Sequence, residues 1–392
     1  MGNTGDTGDS GNTSGTTGGS VSDGSLMAEA KKNFTSTVPA DVKTGDKGTT
    51  EKITYFSKKA QKNKPANVWL PPNYSKSKKY PVVYMNHGVM GSENDLLSGW
   101  SIREMASNLI EKGEVQPFII VFTQMYTNPA ADRPSGINQD DMDRYDDFLY
   151  DLTESLMPYM AENYSAAEGR ENTAIAGFSM GGRESLYIGM MACDKIGYVC
   201  ASSPAPGIVP AQDMFLNHRG SMTEAEFGFK TAPYLLMIGG GTNDSVVGTF
   251  PKQYSELYTK KGQDHIWFEV QGGGHDASVG TPLFYNFFRN LFKTGSTQEP
   301  AVTTVTTVTE PVPAETTPTT TENPSVTQPP ATEIVAGDAD GNGAVTVADV
   351  VKLMQHLIGK VTLSGDNAKA ADMNGDGKIS IIDLIKLKNK LL

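Results

Sequence analysis

Short apolar runs alternate with amphipathic segments between residues 27 and 293 of the chain. The apolar runs are ANVWL, PVVYMNHG, FIIVFT, TAIAGFS, YVCASS, YLLMIGGG and IWFEVQGGGH. Several of them are separated by segments such as DDFLYDLTESLMPYMAENY and MGGRESLYIGMMA, whose apolar spacing is that of a helix. Buried strands that alternate with helices are typical of a mostly parallel sheet covered on both faces. The pattern therefore predicts an α/β fold for this region.

The segments on either side of this region have a different composition. Residues 1–25 are mainly Gly, Ser, Thr, Asn and Asp, which is typical of a flexible linker. Residues 295–333 are rich in Pro and Thr and contain no Lys, Arg or aromatic residue, so they cannot bury a core and are expected to form an extended spacer. We therefore predict a globular domain at 26–294 and a second, small domain at 334–392.

The net charge limits the classes of molecule that the chain is expected to bind. The chain has 392 residues and a formal net charge of -12, which argues against binding to nucleic acid or to an anionic membrane surface but not against binding to neutral carbohydrate. No apolar run approaches the ~18 residues of a membrane span. The N-terminus lacks the features of a signal peptide, so we expect the chain to begin inside a linker of a larger protein. Cys193 and Cys200 are interpreted as packing residues.

The pentapeptide GFSMG places Ser179 between two glycines, after an apolar strand and before a helix. One interpretation is a plain glycine-rich turn. The other is the G-x-S-x-G motif, in which a serine nucleophile occupies a sharp strand-to-helix turn and helix N–H groups stabilise developing negative charge.

Two downstream residues complete a set in the chain order of α/β-hydrolases, which is serine, acid and histidine. Asp244 follows the strand YLLMIGGG, and His275 follows the strand IWFEV. Both would lie on loops at the carboxyl ends of strands, where a histidine can accept the serine proton and a carboxylate can hold the imidazole. The alternative for Asp244 is a residue that only stabilises a turn.

The other histidines are interpreted as structural. His265 precedes its strand, so it should lie at the opposite edge of the sheet, and His218 in the polar loop FLNHRG is expected at the surface. His87 ends an apolar strand before Gly88 and is interpreted as a hydrogen-bonded loop residue. The same strand end predicts that the backbone N–H groups of Val89 and Met180 form an oxyanion hole.

Two related loops occur near the C-terminus, DADGNGAVTVAD from Asp338 and DMNGDGKISIID from Asp372, and each precedes an amphipathic helix. Oxygen ligands at loop positions 1, 3, 5, 7, 9 and 12, with Gly at position 6, are the pattern of an EF-hand-type calcium loop. Asp at position 12, where Glu is usual, fits a half-motif of one loop and its exiting helix better. The predicted ligands of two Ca²⁺ ions are Asp338, Asp340, Asn342, Ala344, Thr346 and Asp349 in the first loop and Asp372, Asn374, Asp376, Lys378, Ser380 and Asp383 in the second.

Four motifs in the globular region resemble the feruloyl and acetylxylan esterases of carbohydrate esterase family 1: YPVVYMNHGVMGSENDLLSG, IAGFSMGGRESLYIG, GGGTNDSVVG and VQGGGHDASVGTPLFYNF. The resemblance implies an α/β-hydrolase fold, a triad of Ser179, Asp244 and His275, and metal-free hydrolysis of esters on plant cell-wall xylan. One departure is Gly280, because an aromatic residue often stands there in this family. Tyr285, Trp100 or Met180 are the candidates to line the acyl pocket instead.

Residues 334–392 resemble a type I dockerin, a small all-α domain of two F-hand repeats. The resemblance implies that calcium is needed for folding and that the domain docks onto a cohesin module of a cellulosomal scaffoldin outside the cell. It also implies that Val347 and Ala348 in one repeat, and Ile381 and Ile382 in the other, contact the cohesin.

The favoured function is a cellulosomal feruloyl esterase that acts on xylan without a catalytic cofactor. An acetylxylan esterase of the same family is the alternative, because an acetyl pocket needs only to be small. A non-catalytic carbohydrate-binding module on a hydrolase scaffold ranks lower, since all three triad residues are present in the expected order.

Overall fold

A computed structural model describes residues 24–293, 306–309, 334–357, 361–375, 377–379 and 381–391 of the chain. The chain divides into two compact units, Met1–Val312 and Pro313–Leu392. None of the described helices is long and apolar enough to cross a membrane.

Within the described residues, the first unit is built on a sheet of nine strands in the order β1-β2-β4-β3-β5-β6-β9-β10-β11. Strand β2 is antiparallel to β1 and to β4, and the pairs from β4 onward are parallel, so the predicted mostly parallel sheet is confirmed. The strands are β1 (Thr49–Ser57), β2 (Lys62–Leu70), β3 (Val82–Asn86), β4 (Ile119–Thr123), β5 (Thr173–Phe178), β6 (Tyr198–Ser202), β7 (Ala211–Gln212), β8 (Asn217–His218), β9 (Leu235–Gly241), β10 (Ile266–Val270) and β11 (Thr306–Thr309).

One helix precedes the first strand, and the other helices of the first unit lie between strands. A continuous helical stretch from α4 to α5 includes a wide turn at Leu152–Leu156. The helices are α1 (Gly24–Asn33), α2 (Ile102–Glu111), α3 (Gln139–Asp146), α4 (Phe148–Asp151), α5 (Met157–Asn163), α6 (Met180–Met191), α7 (Phe250–Lys260) and α8 (Ala277–Arg289).

The packing of glycines shows that helices cover both faces of the sheet. A Cβ atom added at Gly239 in β9 would meet side chains of α8, whereas one added at Gly240 would meet Pro251 of α7. Successive strand residues point to opposite faces, so α7 and α8 lie on different faces. Gly189 of α6 packs against Val199 of β6. Val199 pairs with a residue of β9 that lies on the same face of the sheet as Gly240. Helix α6 therefore shares a face with α7.

Central strands of the sheet are buried on both faces, which explains their continuous apolar sequences. Every residue of β3, β4 and β6 is buried. The apolar runs in the sequence did not predict strand β1. This strand buries only Ile53, Tyr55 and Ser57, in alternation, as expected of an edge strand with one solvated face. Cys193 and Cys200 are buried and free.

The predicted linker at 295–333 contains one described strand. Thr306–Thr309 pairs in parallel with β10 at the edge of the sheet. Thr and Val favour extended backbone, and the outer edge of β10 offers N–H and C=O groups to pair with. This part of the segment therefore belongs to the sheet rather than to a free spacer. The rest of the predicted spacer and residues 1–23 lie outside the described residues.

The second unit contains three described helices, α9 (Val347–Leu357), α10 (Gly365–Ala371) and α11 (Ile381–Leu391). Helices α9 and α11 pack together. The buried core of this unit includes Ala339, Leu353, Leu363, Ala371 and Leu387.

Candidate active site

Ser179 occupies the turn between β5 and α6 with φ 58° and ψ −118°. Non-glycine residues rarely adopt a positive φ, and holding one there costs about 1–3 kcal/mol that the surrounding structure must offset. The backbone N–H of Ser179 donates to Ser202 O at 2.9 Å, which ties the turn to the end of β6. The turn presents the serine at the carboxyl edge of the sheet.

The two glycines of GFSMG are required by backbone contacts. A Cβ atom at Gly177 would lie 2.3 Å from the carbonyl oxygen of Gly181, and one at Gly181 would lie 2.1 Å from the carbonyl oxygen of Asn86. Both distances are far inside van der Waals contact, and the atoms met are backbone atoms that cannot swing away. The motif therefore allows β5, α6 and the end of β3 to approach one another.

The structure brings Ser179, His275 and Asp244 into one hydrogen-bond chain. Ser179 Oγ lies 2.9 Å from His275 Nε2, and His275 Nδ1 lies 2.7 Å from Asp244 Oδ2. Asp244 follows β9 and His275 follows β10, which are parallel neighbours whose carboxyl ends meet at the same edge of the sheet. In this arrangement the imidazole can accept the serine proton while the carboxylate holds its opposite nitrogen.

The surroundings of Asp244 favour its ionised form. Burial alone would raise the pKa of this carboxyl, but the hydrogen bond and charge of His275 and the N–H groups of Val246 and Val247 outweigh burial and lower it. The two N–H groups donate to Asp244 Oδ1 at 2.9 and 3.1 Å, which leaves Oδ2 for the histidine. The carboxylate is thus both oriented and kept charged.

The described hydrogen bonds of His87 go to its own loop and to the segment after β4, and none of them goes to the serine. Its Nδ1 donates to Gly88 O at 2.6 Å, and its Nε2 accepts from the N–H of Met125 at 3.2 Å. Burial lowers the pKa of this imidazole, so the neutral form is favoured. Val89, in the same loop, and Met180 both lie beside Ser179 in the lining of one cleft. Their role as oxyanion donors stays a prediction.

This cleft is open to solvent and lies next to Ser179. Mostly apolar walls with few polar groups are typical of sites for small organic groups. Two of its walls, Ile137 and Met142, come from the long segment before and within α3. The apolar lining residues are Val89, Ile137, Met142, Met180, Ala205, Pro206, Phe215, Val246 and Val247.

The prediction for His218 was wrong. This residue is 5% exposed and lines the cleft, together with Asp213. Its Nε2 lies 3.2 Å from Asp213 Oδ2, and the short strands β7 and β8 hold the two residues side by side. The sequence of this loop is polar and has no hydrophobic periodicity that would predict burial. Its burial depends instead on packing against other segments of the chain, such as the one that contains Gly207.

The space at Gly280 is filled by Trp100. A Cβ atom at Gly280 would lie 2.4 Å from Trp100 Cζ3. The Trp100 ring packs on Phe178 with centroids 4.7 Å apart, and Phe178 in turn packs on His275 at 4.6 Å. Tyr285, another sequence candidate, is buried elsewhere against Arg289. Among the three candidates, Met180 lines the cleft and Trp100 lies one ring away from the histidine.

The first loop of the C-terminal unit has a donor set that fits a calcium ion. Carboxylate oxygens of Asp338, Asp340 and Asp349 lie within 4.8 Å of one another. Burial and the charges of Asp349 and Asp338 raise the pKa of Asp340, a repulsion that a cation would relieve. Hard oxygen ligands crowded in this way are what Ca²⁺ prefers.

The second loop repeats the same backbone hydrogen bonds. Asp338 accepts from the N–H groups of Gly341 and Gly343, and Asp372 accepts from those of Gly375 and Gly377. Asp349 and Asp383 accept in the same way from the N–H groups of the residues at loop position 3. Of the other predicted ligands, Asp376 and Ser380 lie outside the described residues.

The predicted docking residues lie at the starts of α9 and α11. Val347 is 63% exposed, and Ala348 is exposed beside it. Ile381 and Ile382 begin α11, and their side chains lie outside what the structure describes.

Similar solved structures cover about two thirds of this chain. A CE1 ferulic acid esterase from Anaeromyces mucronatus, solved in complex with ferulic acid, is 44% identical, with 66% of this chain and 98% of that chain covered and a TM-score of 0.64. A feruloyl esterase module from Clostridium thermocellum complexed with sinapinate is 19% identical, with 67% and 95% of the chains covered and a TM-score of 0.50, and it supports the fold alone.

One curated relative, the endo-1,4-beta-xylanase/feruloyl esterase of Xylanibacter ruminicola, is 31% identical over 160 residues, which are 38% of this chain and 21% of the relative. The match thus spans about a fifth of that relative's length.

Two family models match the chain. The model described as "Putative esterase" matches residues 57–267, more than half of the chain, and the type I dockerin model matches residues 336–392. The chain therefore belongs to this esterase family, with an α/β-hydrolase unit followed by a type I dockerin domain.

Proposed function

We propose that this carboxylic ester hydrolase removes feruloyl groups from plant cell-wall xylan. The observation that carries the proposal is the hydrogen-bond chain from Ser179 through His275 to Asp244, which opens on an apolar cleft. An aromatic acyl group needs apolar walls, and this cleft offers them beside the nucleophile. The 44% identity with a ferulic acid esterase supports the same acyl group.

In the first half of the reaction, Ser179 Oγ attacks the ester carbonyl carbon and its proton passes to His275 Nε2. Asp244 stabilises the imidazolium that results. The oxyanion of the tetrahedral intermediate accepts hydrogen bonds from the N–H groups of Val89 and Met180, an interaction worth about 3 kcal/mol per donor in related chemistry. The intermediate collapses as His275 gives the proton to the departing sugar oxygen, and the acyl group remains on the serine.

In the second half, water attacks the acyl carbon and gives its proton to His275. The second tetrahedral intermediate collapses, the proton returns to Ser179 Oγ, and the free carboxylic acid leaves. No group besides the three side chains and two backbone donors is required for proton transfer and charge stabilisation.

The test is a burst of p-nitrophenol from its acetate ester together with steady hydrolysis of methyl ferulate. Ser179→Ala should abolish the burst and the hydrolysis. Ser255→Ala is a matched control, because Ser255 Oγ also lies 2.7 Å from a histidine, His265 Nε2, but this pair precedes β10 at the opposite edge of the sheet. Equal activity in the wild type and in Ser179→Ala would overturn the proposal.

The acyl group is tested by the ratio of rates on methyl ferulate and on acetylated xylan. A feruloyl esterase should strongly favour the first substrate. A preference for acetylated xylan would identify an acetylxylan esterase, with the same catalytic residues serving a different acyl group.

We further propose that the dockerin binds two Ca²⁺ ions through its two loops and docks the enzyme onto a cohesin module of an extracellular cellulosome. Calcium would neutralise the clustered carboxylates and fix the loops so that the helices can pack. The docking surface would include Val347, Ala348, Ile381 and Ile382 at the helix starts. The exposure of the apolar Val347 side chain supports this position.

A further inference from the structure

Asp213 and His218 form a polar pair in the otherwise apolar wall of the cleft beside Ser179. The two side chains are 10% and 5% exposed. Burying polar groups next to apolar walls costs free energy unless their hydrogen bonds are satisfied. Neither residue takes part in the Ser179–His275–Asp244 chain, so the proposed proton transfers do not explain why the pair is there.

The hydrogen bonds of Asp213 determine which nitrogen of His218 is available. Asp213 Oδ1 accepts from the N–H groups of Phe215 and Leu216, both at 2.7 Å, and Oδ2 faces His218 Nε2. Burial would raise the pKa of Asp213, but the bonds from His218 and these N–H groups lower it, so the carboxylate is an acceptor at neutral pH. His218 Nε2 therefore carries the hydrogen, and in the neutral ring Nδ1 is an acceptor.

His218 Nδ1 lies beside Gly207. A Cβ atom at Gly207 would lie 2.7 Å from this nitrogen, so a larger residue at this position would displace the ring. No hydrogen-bond partner of Nδ1 occurs among the residues that the structure describes. An imidazole acceptor in the wall of an apolar cleft matches a ligand that carries one hydroxyl donor on an otherwise apolar ring.

We propose that His218, oriented by Asp213, accepts a hydrogen bond from the ring hydroxyl of the acyl group and so selects hydroxylated cinnamoyl esters. This inference rests on the proposed feruloyl esterase function and names its specificity residue. Sites built to bind a hydroxyl discriminate strongly against analogues that lack it, because the buried acceptor is then left unpaired.

The experiment compares kcat/KM for methyl p-coumarate, which has a ring hydroxyl, and methyl cinnamate, which lacks it. Each kcat/KM value is divided by the rate of the same variant on p-nitrophenyl acetate. A lower concentration of active enzyme then lowers both numbers equally and leaves their quotient unchanged. The wild type should prefer p-coumarate by about 10- to 100-fold. His218→Phe keeps the ring but not the acceptor, and it should reduce the ratio to within about threefold of unity.

Val246→Ala is the matched control, because Val246 lines the same cleft with an apolar side chain. It should lower the rates on both cinnamoyl esters and leave their ratio as in the wild type. If His218→Phe fails to fold, His218→Leu, which also lacks an acceptor, serves in its place. A wild-type ratio near unity, or a ratio that survives replacement of His218, would overturn the inference. The proposed function itself fails only if neither ester is hydrolysed in a Ser179-dependent manner.

Discussion

The backbone of Ser179 holds a conformation that few non-glycine residues adopt, and its side chain is aimed by that conformation at one imidazole nitrogen. The orientation of Asp244 is also fixed, because one of its carboxylate oxygens accepts from two backbone N–H groups and the other faces His275. At the scale of single residues, the site is therefore a set of side chains with few alternative partners.

The role of Asp244 predicts the effect of removing its charge. Asp244→Asn should lower kcat on methyl ferulate by roughly 10²- to 10⁴-fold, because an amide can hold the wrong tautomer of His275 and cannot stabilise its charge. Because its surroundings lower the pKa of Asp244 below the usual range of a carboxyl, the wild-type advantage should persist through mildly acidic pH and fade only as pH falls through the lowered pKa.

Asp276→Asn provides the control for that variant. Asp276 adjoins His275, but its side chain accepts from the N–H of Ser278 as the N-cap of α8. Asn caps helices about as well as Asp, so its kcat should stay near the wild-type value. Comparable losses in the two variants would contradict the assignment of Asp244.

The contact of Trp100 with Gly280 predicts a non-additive pair. Gly280→Ala should destabilise the first unit by about 1–3 kcal/mol, since the new methyl group would overlap the indole ring. In a Trp100→Ala background the same change should cost much less, because only Ser202 Oγ, at 3.2 Å from the added Cβ atom, would remain close, and Ala favours a helix over Gly. Urea unfolding followed by tryptophan fluorescence measures both values, and equal costs in the two backgrounds would contradict the contact.

At the scale of elements, the site depends on how closely three of them approach. Strand β5 leads into Ser179, helix α6 leaves it, and the end of β3 lies against the first turn of α6 with no room for a Cβ atom at Gly181. The adjacent carboxyl ends of β9 and β10 then supply the acid and the histidine. Parallel pairing thus gathers residues that are distant in sequence.

Gly181→Ala tests this close approach. The added Cβ atom would meet backbone atoms of Asn86, so the variant should lose about 3 kcal/mol or more of unfolding free energy, or much of its esterase activity through displacement of α6. Gly136→Ala is the control, because the nearest atom to its new methyl group would be Asn138 Nδ2 at 3.8 Å. Urea unfolding and methyl ferulate hydrolysis report on the two effects, and wild-type behaviour of Gly181→Ala would refute the argument.

At the scale of the whole molecule, the chain combines two units with different sources of stability. The first buries an extensive apolar core around its sheet, whereas the described part of the second has a small core and a loop in which three carboxylates cluster. A small core gives little stability by itself, and a bound metal commonly supplies the remainder.

Calcium removal should therefore act on one unit alone. EGTA should unfold the dockerin, seen as loss of helical circular dichroism and as protease sensitivity after about residue 334, and should abolish cohesin binding. Hydrolysis of p-nitrophenyl acetate and tryptophan fluorescence should not change, because the three tryptophans of the chain, at 69, 100 and 267, lie in the first unit. Asp349→Ala should reproduce the effect without a chelator, and parallel loss of esterase activity would contradict the independence of the units.

Local sequence was sufficient for the parts of the molecule that local chemistry governs. Continuous apolar runs predicted the central strands, GFSMG predicted the turn at Ser179, and the Asp/Asn/Gly spacing predicted two related loops, which share the same backbone hydrogen bonds. Chain order also singled out Asp244 and His275, because hydrolases place these residues after successive strands.

Only the tertiary structure decided which side chains share the cleft. The sequence indicates that His218 is a surface residue in a polar loop, yet packing of that loop buries it in the cleft that Ser179 also lines. Tyr285 lies against Arg289 instead, and Trp100 fills the space at Gly280. The physical reason is that burial at these positions comes from segments far away in the chain. Periodicity and motif spacing describe a residue's own element, whereas the shape of a cavity depends on what the fold places across from it.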